Sequence, residues 1–148
     1  MRGSAEVFTL YHKDVLNQDT NPRSLKLVSK SARYYVDTGK KLVSVKFEKR
    51  LTVRDIEGYV RQLQSHPRFQ PGYAEIVDLT EVEDLDLRAD EFLKLADEID
   101  PFSPDAKRAF VVRNSVQNHA ARMHKVLRTQ RNIEIFRSVE EAELWIAK

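Results

Sequence analysis

Val43, Val45 and Phe47 alternate with Ser44, Lys46 and Glu48, the period-two pattern of a strand with one buried face. Tyr34, Tyr35 and Val36 lead into it through Asp37-Thr38-Gly39-Lys40, so the two runs are read as a hairpin joined by a tight turn. The period then changes. Ile56, Tyr59, Val60 and Leu63 recur at helical spacing, and Thr52, with Asp55 three residues on and Leu51 placed to pack on Ile56, marks where that helix starts. It ends at Ser65-His66-Pro67, and Pro71-Gly72 turns the chain into Ala74 to Leu79, where Ile76, Val77 and Leu79 suit the middle of a sheet. Thr80-Glu81-Val82-Glu83-Asp84 is too charged for a core and is read as an acidic turn. Phe92, Leu95, Ala96 and Ile99 form the next helical stripe, which stops before Pro101. Ala109 to Val112 is a strand, Ser115 is read as the cap of a helix carrying Val116, Ala120, Met123 and Leu127, and Ile133 to Phe136 is the last strand. Ser138 and Glu141 form a capping-box sequence before a helix whose Val139, Ala142, Trp145 and Ile146 seal onto the sheet, with Trp145 expected to be buried.

Strands separated by helices of about a dozen residues require crossover connections, and these give parallel pairing. The expected fold is α/β: a single mixed, largely parallel sheet of about five strands, the first antiparallel, with about four helices packed on it. Residues 1 to about 30 are read as an appendage or linker, with Val7, Phe8, Leu10, Tyr11, Val15 and Leu16 as their apolar content, and residues 31 to 148 as the domain.

Composition narrows the classes. A chain of 148 residues fits one domain, and a net charge of +2 announces no nucleic-acid partner. With no cysteine there are no disulfides, no thiolate nucleophile and no sulfur-based zinc site. No apolar window approaches the ~18 residues of a membrane span, and Arg2, Glu6, Lys13 and Asp14 interrupt any signal-peptide core, so a cytoplasmic location is expected. No cofactor is expected either: the 4 glycines form no phosphate-cradling loop.

Candidate chemistry is sparse. His119 and His124 stand five apart, about 140° around a helix, and do not chelate a metal as an i, i+4 pair would; both are read as solvated. Glu81, Glu83, Asp84 and Asp86 lack the glycine of a calcium loop. No serine sits in a glycine elbow, so no catalytic residue is assigned and a non-enzymatic role is expected. The charges are more informative. From Glu75 to Asp105 they are acidic except for Arg88 and Lys94, whereas Ala106 to Arg131 contains Lys107, Arg108, Arg113, Arg122, Lys125, Arg128, Arg131 and no acid. Such segregation steers association. It nominates Thr80, Glu81, Asp84, Asp86, Arg88, Asp90, Arg122, Lys125 and Arg128 as a surface for a protein of complementary charge or a second copy of the chain, and it equally fits two solvated faces.

The stretch LTVRDIEGYVRQLQSHPRFQPGYAEIVDLTEVEDLDL, the later AARMHKVLR and the closing FRSVEEAELWIAK resemble the SpoIIAA-like family, a bacterial branch of the STAS fold also described as STAS/SEC14-like, over about residues 33 to 148. The motifs that carry the resemblance are the turn Pro67 to Gly72, Val77-Asp78-Leu79 at the strand end, Arg122-Met123, and Glu141-Ala142 before Leu144-Trp145. Where the family usually has a glycine before the first helix, this chain has Lys49-Arg50. The resemblance implies a non-enzymatic module that binds proteins, nucleotides or other small ligands, read here as a regulatory one that works by protein–protein interaction. For the anti-sigma antagonists of that fold it also implies a switch serine at the start of the helix after the central strand. Here that position falls in Leu85-Asp86-Leu87-Arg88-Ala89, which has no hydroxyl; Thr80 is the nearest alternative, among acids that would repel a phosphate. The alternative implied by the SEC14-like description is a small apolar or lipid-like ligand in a cavity under the helices.

Overall fold

The computed structural model describes residues 24–128 and 132–148, and the expected appendage therefore lies outside the described residues up to residue 23. A six-stranded sheet runs in the order of the sequence: β1 (Lys26–Ser29), β2 (Ala32–Asp37), β3 (Leu42–Thr52), β4 (Ala74–Asp86), β5 (Arg108–Val111) and β6 (Ile133–Phe136). β1, β2 and β3 form an antiparallel meander, and β3 to β6 are parallel. Thus the mixed, largely parallel sheet is present, with one strand more than expected, because Lys26–Ser29 pairs with β2 instead of belonging to a linker. Among the described residues four helices connect or follow the strands: α1 (Val53–Gln64), α2 (Ala89–Lys94, continued by a π-helical turn, Leu95–Ile99), α3 (Ser115–Arg128) and α4 (Val139–Ala147). Among the described residues no helix is long and apolar enough to cross a membrane.

Strand alternation gives the sheet two different faces. Val43, Val45, Phe47, Val77, Leu79, Phe110 and Val112 share one core with Tyr59, Val60 and Leu63 of α1 and Ala121 of α3. Leu42, Ile76, Ala109 and Val111 point the other way, toward Ala142, Val139, Trp145 and Ile146 of α4. The caps read from the sequence set the helix starts: Thr52 and Asp55 make a reciprocal box at α1, and Ser138 Oγ accepts the Glu141 N–H at 3.1 Å at α4.

Four local expectations are corrected. The acidic run is strand, not turn: β4 continues to Asp86 because β3 runs beside it as far as Thr52 and places Lys46 and Arg50 beside the acids, while Val82 is buried. The cap of α3 is Asn114, whose Oδ1 accepts the Gln117 N–H at 2.9 Å, so Ser115 is already in the helix. The inward stripe of α3 is Gln117, Ala120, Ala121, His124 and Arg128, and Val116 is 54% exposed. Trp145 is half-buried, its ring 5.5 Å from Phe136 and beneath Lys107 Nζ at 5.3 Å.

Candidate functional site

Between one face of the sheet and α1, α2 and α3 lies a partly open cavity of about 90 Å³. Its walls are apolar: Phe47, Leu51, Ile56, Val77, Leu79, Leu87, Phe92, Leu95, Ile99, Phe110 and Ala120 all face it. The strands supply side chains of the inward phase, and α2 supplies the Phe92, Leu95, Ile99 stripe that its spacing had announced. Ile56, Leu87 and Ile99 are only partly buried, which places the mouth between α1 and α2. Glu57 of α1 and Lys94 of α2 are joined by an ion pair at 3.2 Å.

One end of the cavity is polar. Tyr59, Glu75, Asp100, Arg108 and His124 line it, and they form a single buried network. Glu75 and Arg108 are paired across β4 and β5, at the start of each strand, in phase with the core residues Val77 and Phe110. Glu75 Oε2 accepts the Tyr59 hydroxyl at 2.6 Å, and Oε1 accepts Arg108 Nε at 2.8 Å. Asp100 Oδ2 takes Arg108 Nη1 at 2.9 Å, His124 Nε2 at 2.9 Å and Arg128 Nε at 3.3 Å, while Oδ1 accepts the Phe102 N–H at 3.0 Å. Asp100 is held in place from outside the cavity too, since its own N–H closes the π-helical turn on Leu95 O at 3.1 Å. Arg128 also donates to the carbonyls of Phe102 at 2.9 Å and Ala96 at 3.3 Å, tying α3 to the end of α2.

The electrostatics follow from burial and pairing. Burial alone would raise the Asp100 pKa, but the His124 hydrogen bond and the Arg108 charge outweigh it and hold the carboxyl well below the usual carboxylate range. Burial would likewise lower that of Arg108; the Glu75 and Asp100 charges reverse this and hold the guanidinium charged. Burial, followed by the neighbouring Glu75 charge, pushes the Tyr59 phenol well above its ordinary value. At neutral pH the network therefore contains fixed charges and a hydroxyl that does not ionise.

The residues nominated from charge segregation are placed differently. Thr80 donates its N–H and hydroxyl to Asp78 Oδ1 at 2.9 and 2.6 Å, inside the strand. Glu81 pairs with Lys46 at 2.9 Å, Asp84 and Asp86 with Arg50, and Asp90 with Arg88 at 3.2 Å. On α3, Arg122 is exposed, Lys125 lies 3.8 Å from Glu134, and Arg128 faces the interior as described. The acids are thus matched by cations of β3 and by Arg88 just before α2, and Arg128 is no rim charge. His124 is not a solvated histidine, whereas His119 is exposed beside the Phe92 ring. Among the described residues no group of three or more histidine, aspartate and glutamate side chains could hold a metal ion.

From the sequence His124 is read as solvated and Glu75 and Arg108 only as members of the acidic and basic runs, and none of these three, nor Asp100, is nominated as a site residue. A signal was there for two of them: Glu75-x-Val77-x-Leu79 and Arg108-x-Phe110-x-Val112 put a charge in phase with core side chains, as a buried pair would.

No family model and no curated protein matches the chain. Its structure is similar to the crystal structure of an uncharacterised protein of the DUF3478 family with a SpoIIAA-like fold, from Shewanella loihica PV-4, at 21% sequence identity and a TM-score of 0.51, over 84% of this chain and 91% of that one. The fold is SpoIIAA-like.

Proposed function

We propose that this chain is a non-catalytic binding module that holds a small apolar ligand in the cavity between its sheet and α1–α3. The observation that carries the reading is the cavity itself: about 90 Å³ of space with apolar walls and one polar end. A space of that size admits a small molecule, and a longer chain enters only when α2 yields. Binding between the helices and the sheet moves α2 and thereby the surface that a protein partner would read, which joins the ligand to a regulatory role. Regulation by phosphate at the start of α2 has no hydroxyl to act on between residues 85 and 89.

Xenon is the direct probe of an apolar space. Under xenon pressure the methyl signals of Ile56, Leu87, Leu95 and Ile99 should shift together, and Ala120→Leu, which fills the cavity from α3, should abolish the shifts while the protein stays folded. Native mass spectrometry of gently purified protein should show a bound small compound that the same substitution removes. Wild-type methyl signals that do not respond to xenon would overturn the reading.

A further inference from the structure

We infer that the ligand of this cavity bears an uncharged hydrogen-bond donor at its buried end, an alcohol in the simplest case, and not a carboxylate or an ammonium group. The inference rests on the cavity reading above and adds the chemistry of the ligand's polar end. All four oxygens of Glu75 and Asp100 already accept hydrogen bonds, and two guanidiniums, Arg108 and Arg128, face the two carboxylates. A ligand carboxylate or ammonium would therefore bring an uncompensated charge beside side chains exposed by 4% or less, Glu75, Asp100 and Arg108. Low-dielectric surroundings penalise such a charge heavily, and no free countercharge stands in the cavity wall to offset it.

What the polar end still offers is hydrogen-bonding capacity without charge. The Tyr59 hydroxyl donates to Glu75 and keeps its lone pairs. His124 is taken up by Asp100 through its Nε2 at 2.9 Å. Tyr59 has no further hydrogen bond among the described residues, and it lines the cavity. A ligand O–H donating to the Tyr59 oxygen completes the network, with its carbon chain against Ile56, Leu87, Phe92 and Ile99 on the way to the mouth.

The test compares butan-1-ol, butanoate and butylammonium, which share a chain and differ in the polar group, by methyl chemical-shift titration of the full chain at pH 7, with xenon as the probe that has no polar group. The alcohol should bind at least ten-fold more tightly than either ion, and Tyr59→Phe should weaken the alcohol several-fold while leaving the xenon response unchanged. Butanoate or butylammonium binding as tightly as the alcohol would overturn the inference. A xenon response with no binding of any of the three would also overturn it while leaving the cavity reading intact, and loss of the xenon response in the wild-type protein would overturn both. The wild-type series decides even where Tyr59→Phe unfolds because Glu75 has lost a donor.

Discussion

Asp100 carries more of the molecule's internal charge balance than any acid in the exposed run before it, because one of its oxygens receives donors from β5 and from two turns of α3. Asp100→Asn removes the negative charge from beneath Arg108 and Arg128 and should destabilise the protein by about 3–5 kcal/mol in urea denaturation, the range found when a buried pair loses one partner. The pH dependence has a definite sign. The folded-state pKa of Asp100 is depressed. Its contribution is therefore fully present above the unfolded carboxylate value of about 3.9 and is lost as pH falls toward the folded value. The gap between wild type and Asp100→Asn should narrow progressively below about pH 4; a constant gap down to acid unfolding would contradict this assignment. Lys49 makes a second case. It occupies the left-handed region at φ 60°, beside a bulge in β3, and is exposed. An L side chain in that region costs about 1–2 kcal/mol. Set against the loss of unfolded-chain restriction, Lys49→Gly should still stabilise by about 0.5–1 kcal/mol in thermal melts. The sequence showed the departure at Lys49-Arg50, but only the bulge gives it a conformational meaning.

At the scale of elements, period was a sounder guide than charge. The β3 alternation and the α1 and α2 stripes were legible because each buries one regular set of apolar residues. The second half of β4 was not, since its inward residues, Val82 and Leu85, are two in a run of acids whose partners sit on a strand thirty-odd residues earlier. In α3 the apolar pattern was misleading. Its buried face begins at Gln117, which donates to the carbonyls of Val82 at 2.9 Å and Thr80 at 3.3 Å and accepts the Arg113 N–H at 2.6 Å. That one side chain fastens α3 to the extension of β4. Gln117→Leu leaves those backbone groups unsatisfied and should cost about 1–3 kcal/mol, whereas Val116→Ser, at the exposed position that the apolar pattern would have buried, should stay within about 0.5 kcal/mol. Thermal denaturation of the two variants side by side checks the rotation of the helix; equal losses would mean that it is placed wrongly.

Taken whole, the molecule sets a long-paired central sheet against a short, irregular helix. β3 and β4 pair along almost their full lengths, and their Val43, Val45, Ile76 and Val77 are buried from both sides by neighbouring strands and helices. α2 is different. It has one turn and a half of α-helix before the π-helical turn, and its tie to α1 on the mouth side is the Glu57–Lys94 pair, half-exposed at the lysine and worth about 1 kcal/mol at most. The Arg128 and Asp100 contacts anchor only its far end. Opening free energies vary along a structure, and this short helix with its π-helical turn forms the outer wall of the cavity. Native-state hydrogen exchange should accordingly be faster at Phe92 to Glu98 than at Val43 to Phe47 or Ile76 to Leu79, and filling the cavity with butan-1-ol should slow α2 selectively while the strands exchange unchanged. Equal protection of α2 and the central strands would mean that the wall does not open on its own, and then a ligand longer than the cavity would have to enter by another face.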